Sequence, residues 1–451
     1  MPSTSAAVST RAAWWGLGVA IALVVAAVAV PAAADWDVQA LSFPPLRGEW
    51  EPRLGPGTVP ALVVAALAVV YAGRACERWP WPRVLAGAFA LCLAWQVSLA
   101  TVDGWSGIGT VLANKNEYLG TAHTITSWAD VSDNLHEYVS RIPLYRLDHW
   151  PVHIAGHPPG ALLVFVLLVT IGLGSGLAAG CVVIVLAATT PVAVLLTLRR
   201  LAAEPAARRA APFVAVGPAA VWTAVSGDAL FGAVAAWGLC CLAMAATSRG
   251  RWPVAGWGVS AGLLLGYCVL LSYGLVLLAI PAVGILVAAR SWRPLPWAAA
   301  AAVAVVAAFA LAGFSWWEAY PVLRERYWDG IARRRPASYW VWGDLAALAL
   351  SAGPLVGSAL AVTMAGRAGA AAETPSGQRR VVCWLALTAF ASILVADASL
   401  MSKAEVERIW LPFVPWLLVG CALLPQRWRR WGLAGQIVCA LAVQHLLFTP
   451  W

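Results

Sequence analysis

Apolar runs of about bilayer-crossing length follow one another along this chain, and almost every polar residue falls between them. A helix needs roughly 20 apolar residues to cross the hydrocarbon core, and fewer where the bilayer thins. Fourteen runs qualify: 13–34, 58–73, 84–101, 159–176, 178–198, 212–225, 228–247, 254–272, 274–290, 296–315, 344–365, 381–398, 409–424 and 432–449. Lipid offers no hydrogen-bond partner, so each run must satisfy its own backbone as a helix. Charged residues make up only 11% of the 451 and hydrophobic ones 61%, against roughly 25% charged in a soluble domain. The expected fold class is all-α, a polytopic transmembrane helical bundle of about 13 helices.

The net charge of +9 does not indicate a nucleic-acid partner, because the basic residues sit in short clusters between apolar runs. These are Arg74/Arg78/Arg83, Arg199/Arg200/Arg208/Arg209, Arg249/Arg251, Arg290/Arg293, Arg367/Arg379/Arg380 and Arg427/Arg429/Arg430. The positive-inside rule places them in the cytoplasm with Arg11 and the N-terminus. Residues 102–158, 226–228, 272–274, 316–343 and 399–408 then lie outside. On that topology the inside carries +15 and the outside −6, which together give the net +9. Alternation requires residues 159–198 to cross once on balance, although they contain two apolar runs around Gly172, Gly174 and Gly176. One of the two is expected to be a re-entrant or interfacial half-helix. Residues 13–34 resemble a signal peptide, and the many later runs favour an uncleaved first helix. Residues 366–380 read as a flexible inside loop. The nine cysteines lie mostly inside apolar runs, without a CxxC pair or a disulfide framework.

Chemistry is expected in the longest polar stretch, Gly104 to Gly160. It holds five of the six histidines (His123, His136, His149, His153, His157) and the carboxylates Glu117, Asp130, Asp133, Glu137 and Asp148. Glu117 is either a general base at the membrane face or a solvated loop acid. Asp133, His136 and Glu137 share one face of an expected amphipathic surface helix. His149, His153 and His157 recur every four residues, but Pro151, Gly156, Pro158 and Pro159 break any helix that would turn them into a metal site. Pro159 suits a first helical turn, and His157 just before it stands where anions bind.

Asp228, in Ser226-Gly-Asp, is either a helix N-cap or a functional acid set deep between two apolar runs. Residues 316–344 combine tryptophans and tyrosines with Arg324, Arg326 and Arg333–Arg335, outside and against the positive-inside trend. The rings suit an interfacial belt or a sugar ring, and guanidinium forks suit phosphate. The run Lys403-Ala-Glu-Val-Glu-Arg-Ile-Trp-Leu-Pro-Phe413 reads as a local salt-bridge network or as an anchor for a lipid phosphate.

Together these pieces resemble the GT-C superfamily of polytopic membrane glycosyltransferases, especially its large actinobacterial integral membrane members. The resemblance rests on Asn-Glu-Tyr-Leu (116–119), His-Pro-Pro-Gly (157–160), Ser-Gly-Asp-Ala-Leu-Phe (226–231), Ser-Tyr-Gly (272–274) and the 403–413 motif, in that order. It covers residues 84–451, with an extracytoplasmic loop at 102–158, and leaves 1–83 as an N-terminal two-helix addition. It implies a polyprenyl-phosphate-linked sugar donor, a glycan or lipid acceptor of the cell envelope and contact with membrane lipids, with no nucleic acid. It also implies inversion at the sugar carbon.

Glu117 would be the base, with Asp130 as its substitute. His157, Asp228, Tyr273, Arg333, Lys403, Glu405, Glu407 and Arg408 would bind substrate or donor, Lys403 and Arg408 holding the donor phosphate. No cofactor is assigned, and a divalent cation is left open. The chain departs from the family in two respects: the loop follows the third apolar run rather than the first, and Asn116 replaces the usual paired acid. The competing expectations are a multi-helix transporter, which would show inverted repeats and mid-membrane polar groups, and a non-catalytic envelope-assembly protein.

Overall fold

The computed structural model describes residues 4–367 and 375–449. Of the expected 366–380 loop, residues 368–374 lie outside the described residues. The architecture is all-α and polytopic. The only strand pairing among the described residues joins Glu49–Trp50 antiparallel to Leu447–Phe448. Among the described residues seven helices are long and apolar enough to cross a membrane: Ser9–Ala33, Thr58–Arg78, Trp81–Asp103, Gly176–Arg200, Gly227–Ala246, Arg251–Leu271 and Ser376–Ala398.

Two bent pairs raise the number to nine if each is one span: Leu295–Leu311 with Trp316–Asp329, and Ala337–Ser351 with Leu355–Gly366. This is fewer than the thirteen expected, because several apolar runs are interrupted. Run 344–365 turns by 102° where Gly353 adopts φ +88° ahead of Pro354. Run 212–225 contains Pro212 and Gly217-Pro218, so the helix Glu204–Ala215 gives way to the single turn Ala220–Thr223.

The parity problem in 159–198 is resolved by a short helix. Pro159–Thr170 has only 12 residues, about 18 Å of rise. After it the chain reverses at Gly172, φ +83°. The Gly174 carbonyl lies 3.0 Å from His123 Nε2, and a Cβ on Gly176 would fall 1.9 Å from the Gly109 carbonyl. His123 and Gly109 belong to the long polar loop, so both ends of this helix stay at the loop end of the bundle. Gly176–Arg200 follows, 25 residues and apolar enough to cross.

The connections sort into two ends. At one, Arg208 donates to the carbonyls of Cys76 and Trp79, both at 2.8 Å, Arg200 to Thr247, and Arg380 to the Ala288 carbonyl. At the other, Arg47 pairs with Glu405, Arg53 with Asp103, and Arg326 donates to the carbonyls of Ile142 and Trp150. The segment expected as an N-terminal addition is packed into the bundle. Ser358 Oγ donates to the Ala13 carbonyl and Tyr339 OH to the Ala27 carbonyl, both at 2.8 Å.

Small residues allow the closest helix contacts, as lipid-embedded packing requires. A Cβ on Gly357 would come within 2.2 Å of the Gly16 carbonyl, and one on Gly16 would come equally close to the Gly357 carbonyl. Replacing Gly357 by Leu should force the first helix off Leu355–Arg367. The expected cost is about 1–3 kcal/mol, read as a lowered thermal midpoint in detergent, and a midpoint equal to that of the unmodified protein would contradict this contact.

Candidate functional site

Four separate pieces of chain deliver the side chains of the site. The first is a turn in the long loop, where Glu117 N donates to the Asn114 carbonyl and leads into Tyr118 and the helical turn Leu119–Ala122. The second is Val152–Gly156, begun by Pro151. Its His153 N donates to the Asn116 carbonyl, which fixes the first two pieces to each other. His157 follows in extended backbone, φ −128° and ψ 152°, the conformation favoured before a proline. The third is the start of Gly227–Ala246. Its N-cap is Ser226, whose hydroxyl accepts from Ala229 N, so the capping role expected for Asp228 is filled and that carboxylate faces the site instead. The fourth is Val406–Ile409, which carries Arg408.

Arg408 is the centre. Its Nε lies 2.9 Å from Asp228 Oδ2 and its Nη1 3.6 Å from Glu117 Oε1. Glu117 Oε1 is also 2.6 Å from His153 Nδ1, and His157 Nε2 is 3.9 Å from Asp228 Oδ1. Arg408, Glu117 and Asp228 are 4%, 5% and 6% exposed. Tyr118 stacks on Phe165 at 4.8 Å and brings its hydroxyl 3.0 Å from His157 Nδ1. Tyr138 OH donates to the carbonyls of Ile154 and His157, which secures the segment bearing both histidines.

The partners assign the protons. His157 Nδ1 lies 2.7 Å from the His153 carbonyl, which only accepts, so the ring donates from Nδ1 and turns a lone pair on Nε2 toward Asp228. His153 Nε2 is 3.4 Å from Arg408 Nη2. A guanidinium only donates, so the His153 proton sits on Nδ1, facing Glu117.

Burial alone would push the Glu117 carboxyl up. The hydrogen bond from His153 and the positive charge of Arg408 beside it outweigh this and hold the carboxyl below its usual value. Burial works to lower Arg408 as well, but Asp228 and Glu117 hold it charged. Burial depresses His157 despite the opposing pull of Asp228, so this ring is neutral at pH 7. The arrangement is an ionised carboxylate beside an imidazole, bridged by a guanidinium to a second carboxylate–imidazole pair. Such a set can accept a proton at either carboxylate and stabilise an anion at the bridge.

The cluster thus unites four residues singled out from sequence: Glu117, His157, Asp228 and Arg408. Asp130 lies elsewhere. It closes a capping box on the amphipathic helix Trp128–Glu137, accepting from Thr126 N at 2.7 Å and Ser127 N at 2.8 Å. It is solvent-exposed, and those two backbone hydrogen bonds lower its carboxyl.

Lys403 is buried and spends its ammonium on the carbonyls of Ala332 and Arg335. Glu405 pairs with Arg47 and Arg335, and Glu407 accepts from Arg47 N. Tyr273 is buried against the stacked pair Trp316 and Tyr320, at 5.7 and 5.9 Å. Arg333 is exposed on the turn Ile331–Arg333. His149 points to its neighbour's carbonyl, Trp150 O. Among the described residues no group of three or more His, Cys, Asp or Glu side chains is placed to hold a metal.

Sequence reasoning missed His153 as a partner of Glu117. The four-residue histidine spacing was visible, but it suggested metal ligation, and the broken helix turns alternate histidines to different neighbours. Tyr118 was missed too, with only its place beside Glu117 as a signal. Compared with models of known protein families the chain matches none, and no curated protein matches it.

Removing one member of a buried ion cluster strands the others. Arg408→Gln should therefore cost about 3–5 kcal/mol of stability at neutral pH, measured by denaturant or thermal unfolding, and acidification that neutralises the stranded carboxylates should recover part of it. In the unmodified protein His157 favours folding while neutral. Its contribution is complete above 6.5, the usual histidine value, and is lost as pH falls from there through the depressed folded value. Glu117 contributes above the usual 4.5 and loses that contribution as pH falls through its own lowered value. His157→Gln should remove the first step from a plot of unfolding midpoint against pH and leave the second. A profile unchanged by the substitution would contradict the assignment.

Proposed function

We propose that the protein is a GT-C-type membrane glycosyltransferase. It would move a sugar from a polyprenyl-phosphate donor to a cell-envelope glycan or lipid acceptor at the extracytoplasmic end of the bundle. The carrying observation is the junction of Glu117 with the Arg408–Asp228 pair, 3.6 and 2.9 Å across the guanidinium, at the end of a polytopic bundle. On this reading the end lined by Arg208, Arg200 and Arg380 is cytoplasmic, in keeping with the positive-inside rule. Thirteen passes result if the interrupted segments 204–226 and 405–424, the 17-residue helix at 273–289 and each bent pair are all counted, together with the helix Gln426–Leu446.

The reaction places three demands on the protein. The donor must remain in the bilayer, which a multi-helix fold with loops at one end permits. The acceptor hydroxyl must lose its proton as its oxygen bonds to the sugar carbon, and Glu117 is the ionised carboxylate available for that. The bond from the sugar carbon to the phosphate oxygen breaks at the same time, and Arg408 is the cation beside which the departing phosphate charge is neutralised. Inversion follows from a single displacement with one base. Asp130 is the weaker candidate for the base because it is solvent-exposed, away from the Arg408 cluster, with Oδ2 committed to its own helix cap. Arg408 serves the phosphate better than Lys403, whose ammonium is committed to backbone carbonyls.

Glu117→Gln keeps the shape of the side chain and removes its basicity. It should lower the transfer rate from polyprenyl-phosphate sugars to envelope acceptors by about 10²–10⁴-fold, while Asp130→Asn should transfer at close to the normal rate. Full activity in the Gln variant would sink the assignment.

One observation favours transport instead. A chamber of about 60 Å³ lies beneath Asp228, lined among others by Gln96, Thr190, Gly217 and Pro415, and interrupted helices around a polar site are a transporter feature. Solute accumulation in proteoliposomes, with no sugar transfer from any lipid donor, would establish that reading.

A further inference from the structure

Charge is out of balance in the buried cluster. Two carboxylates, Glu117 and Asp228, share one guanidinium, Arg408; His153 turns an unprotonated Nε2 to Arg408, and His157, whose proton sits on Nδ1, is kept neutral by burial. The cluster therefore holds one net negative charge. The other titratable groups facing it do not correct this. Tyr118 and Tyr138 are buried phenols held well above their usual range by burial, and Glu405 adds a negative field at Arg408, itself shared with Arg47 and Arg335. An anion that approaches Arg408 must displace a carboxylate from it and adds a second uncompensated charge in a poorly hydrated place.

The cluster also contains the means of compensation. His157 presents an unprotonated Nε2 toward Asp228 Oδ1 at 3.9 Å. A proton placed there converts Asp228 from a partner of Arg408 into a partner of an imidazolium, and leaves the guanidinium free to turn to the incoming group.

We propose that this site takes up a phosphodiester anion together with one proton from solvent, the proton going to the His157–Asp228 pair. The idea rests on the donor-phosphate role proposed for Arg408 and extends it, because loading the lipid donor becomes coupled to pH. Affinity rises as pH falls toward the histidine range, by up to tenfold for each pH unit, the slope of a single linked proton.

Calorimetry on the full-length protein in detergent tests this with two probes, farnesyl methyl phosphate and dimethyl phosphate. Both are diesters with a fixed single charge, so any proton taken up belongs to the protein. Titrations at pH 7.5 in buffers of low and high ionisation enthalpy should show close to one proton absorbed per ligand bound. Farnesyl methyl phosphate binding much more tightly identifies a lipid phosphate as the ligand, whereas equal affinities identify a free phosphate group. His157→Gln should still bind but with proton uptake largely lost. Asp228→Asn removes the excess charge and should bind with little dependence on pH.

Heats that do not vary with buffer while ligand binds would overturn the coupling and leave the donor reading standing. Absence of binding by either probe to folded, unmodified protein would overturn both. Proton uptake unchanged in both variants would remove the His157–Asp228 assignment.

Discussion

A guanidinium buried at the end of a membrane bundle must be neutralised where it stands, and much of the loop architecture here serves Arg408. Taking such a charge out of water costs several kcal/mol unless partners replace the lost hydration. Glu117 does so at Nη1 and Asp228 at Nε, and each comes from a different part of the chain. The long polar loop, the 152–157 segment, the start of Gly227–Ala246 and the 399–410 segment must therefore arrive together. His153 shares Glu117 Oε1 with the guanidinium, at 2.6 Å, and His157 stands 3.9 Å from Asp228 Oδ1.

A second ring of contacts holds the Arg408 segment in place. Asp344 Oδ1 accepts from Ala404 N at a residue with φ +69°, a left-handed conformation that a non-glycine residue keeps only when its surroundings impose it. Tyr327 OH accepts from Lys403 N, Arg335 donates to the Lys403 carbonyl, and the Lys403 ammonium reaches back to the carbonyls of Ala332 and Arg335. Arg47 ties the same segment to the loop after the first helix. The basic residues outside the positive-inside pattern are in good part these braces. Arg326 likewise fastens the 142–150 stretch by its carbonyls, which positions the histidine segment that follows.

Periodicity and composition made the fold class legible, because lipid leaves a backbone so few ways to satisfy itself. The anomaly in 159–198 was also legible, since charge parity called for a run that does not cross, and of the two runs there Pro159–Thr170 is a 12-residue helix, shorter than the candidate spans. The number of long spans was less so. Apolar composition says that a segment can lie in lipid, but Gly353-Pro354 and Gly217-Pro218 break two such segments without changing their hydropathy. In the site, Glu117, His157, Asp228 and Arg408 could be singled out because ionisable residues are scarce in such a chain. Asp130 looked like their equal on the same grounds. It differs in place and surroundings, standing in solvent away from Arg408 with its Oδ2 accepting from Thr126 and Ser127 in a helix cap.

The sequence by itself determined that the chain is a helical membrane protein with its acids and histidines gathered in one set of connections. Both follow from local transfer free energies, which depend on residue type and not on neighbours distant in the chain. Tertiary structure alone decided which of those residues meet. The Arg408–Glu117 and Arg408–Asp228 contacts join residues 291 and 180 positions apart, and the donation of His153 to Glu117 depends on how two irregular segments lie against each other. Such pairings are fixed by the need to neutralise charge in a buried place, a constraint that exists only once the bundle has closed around it.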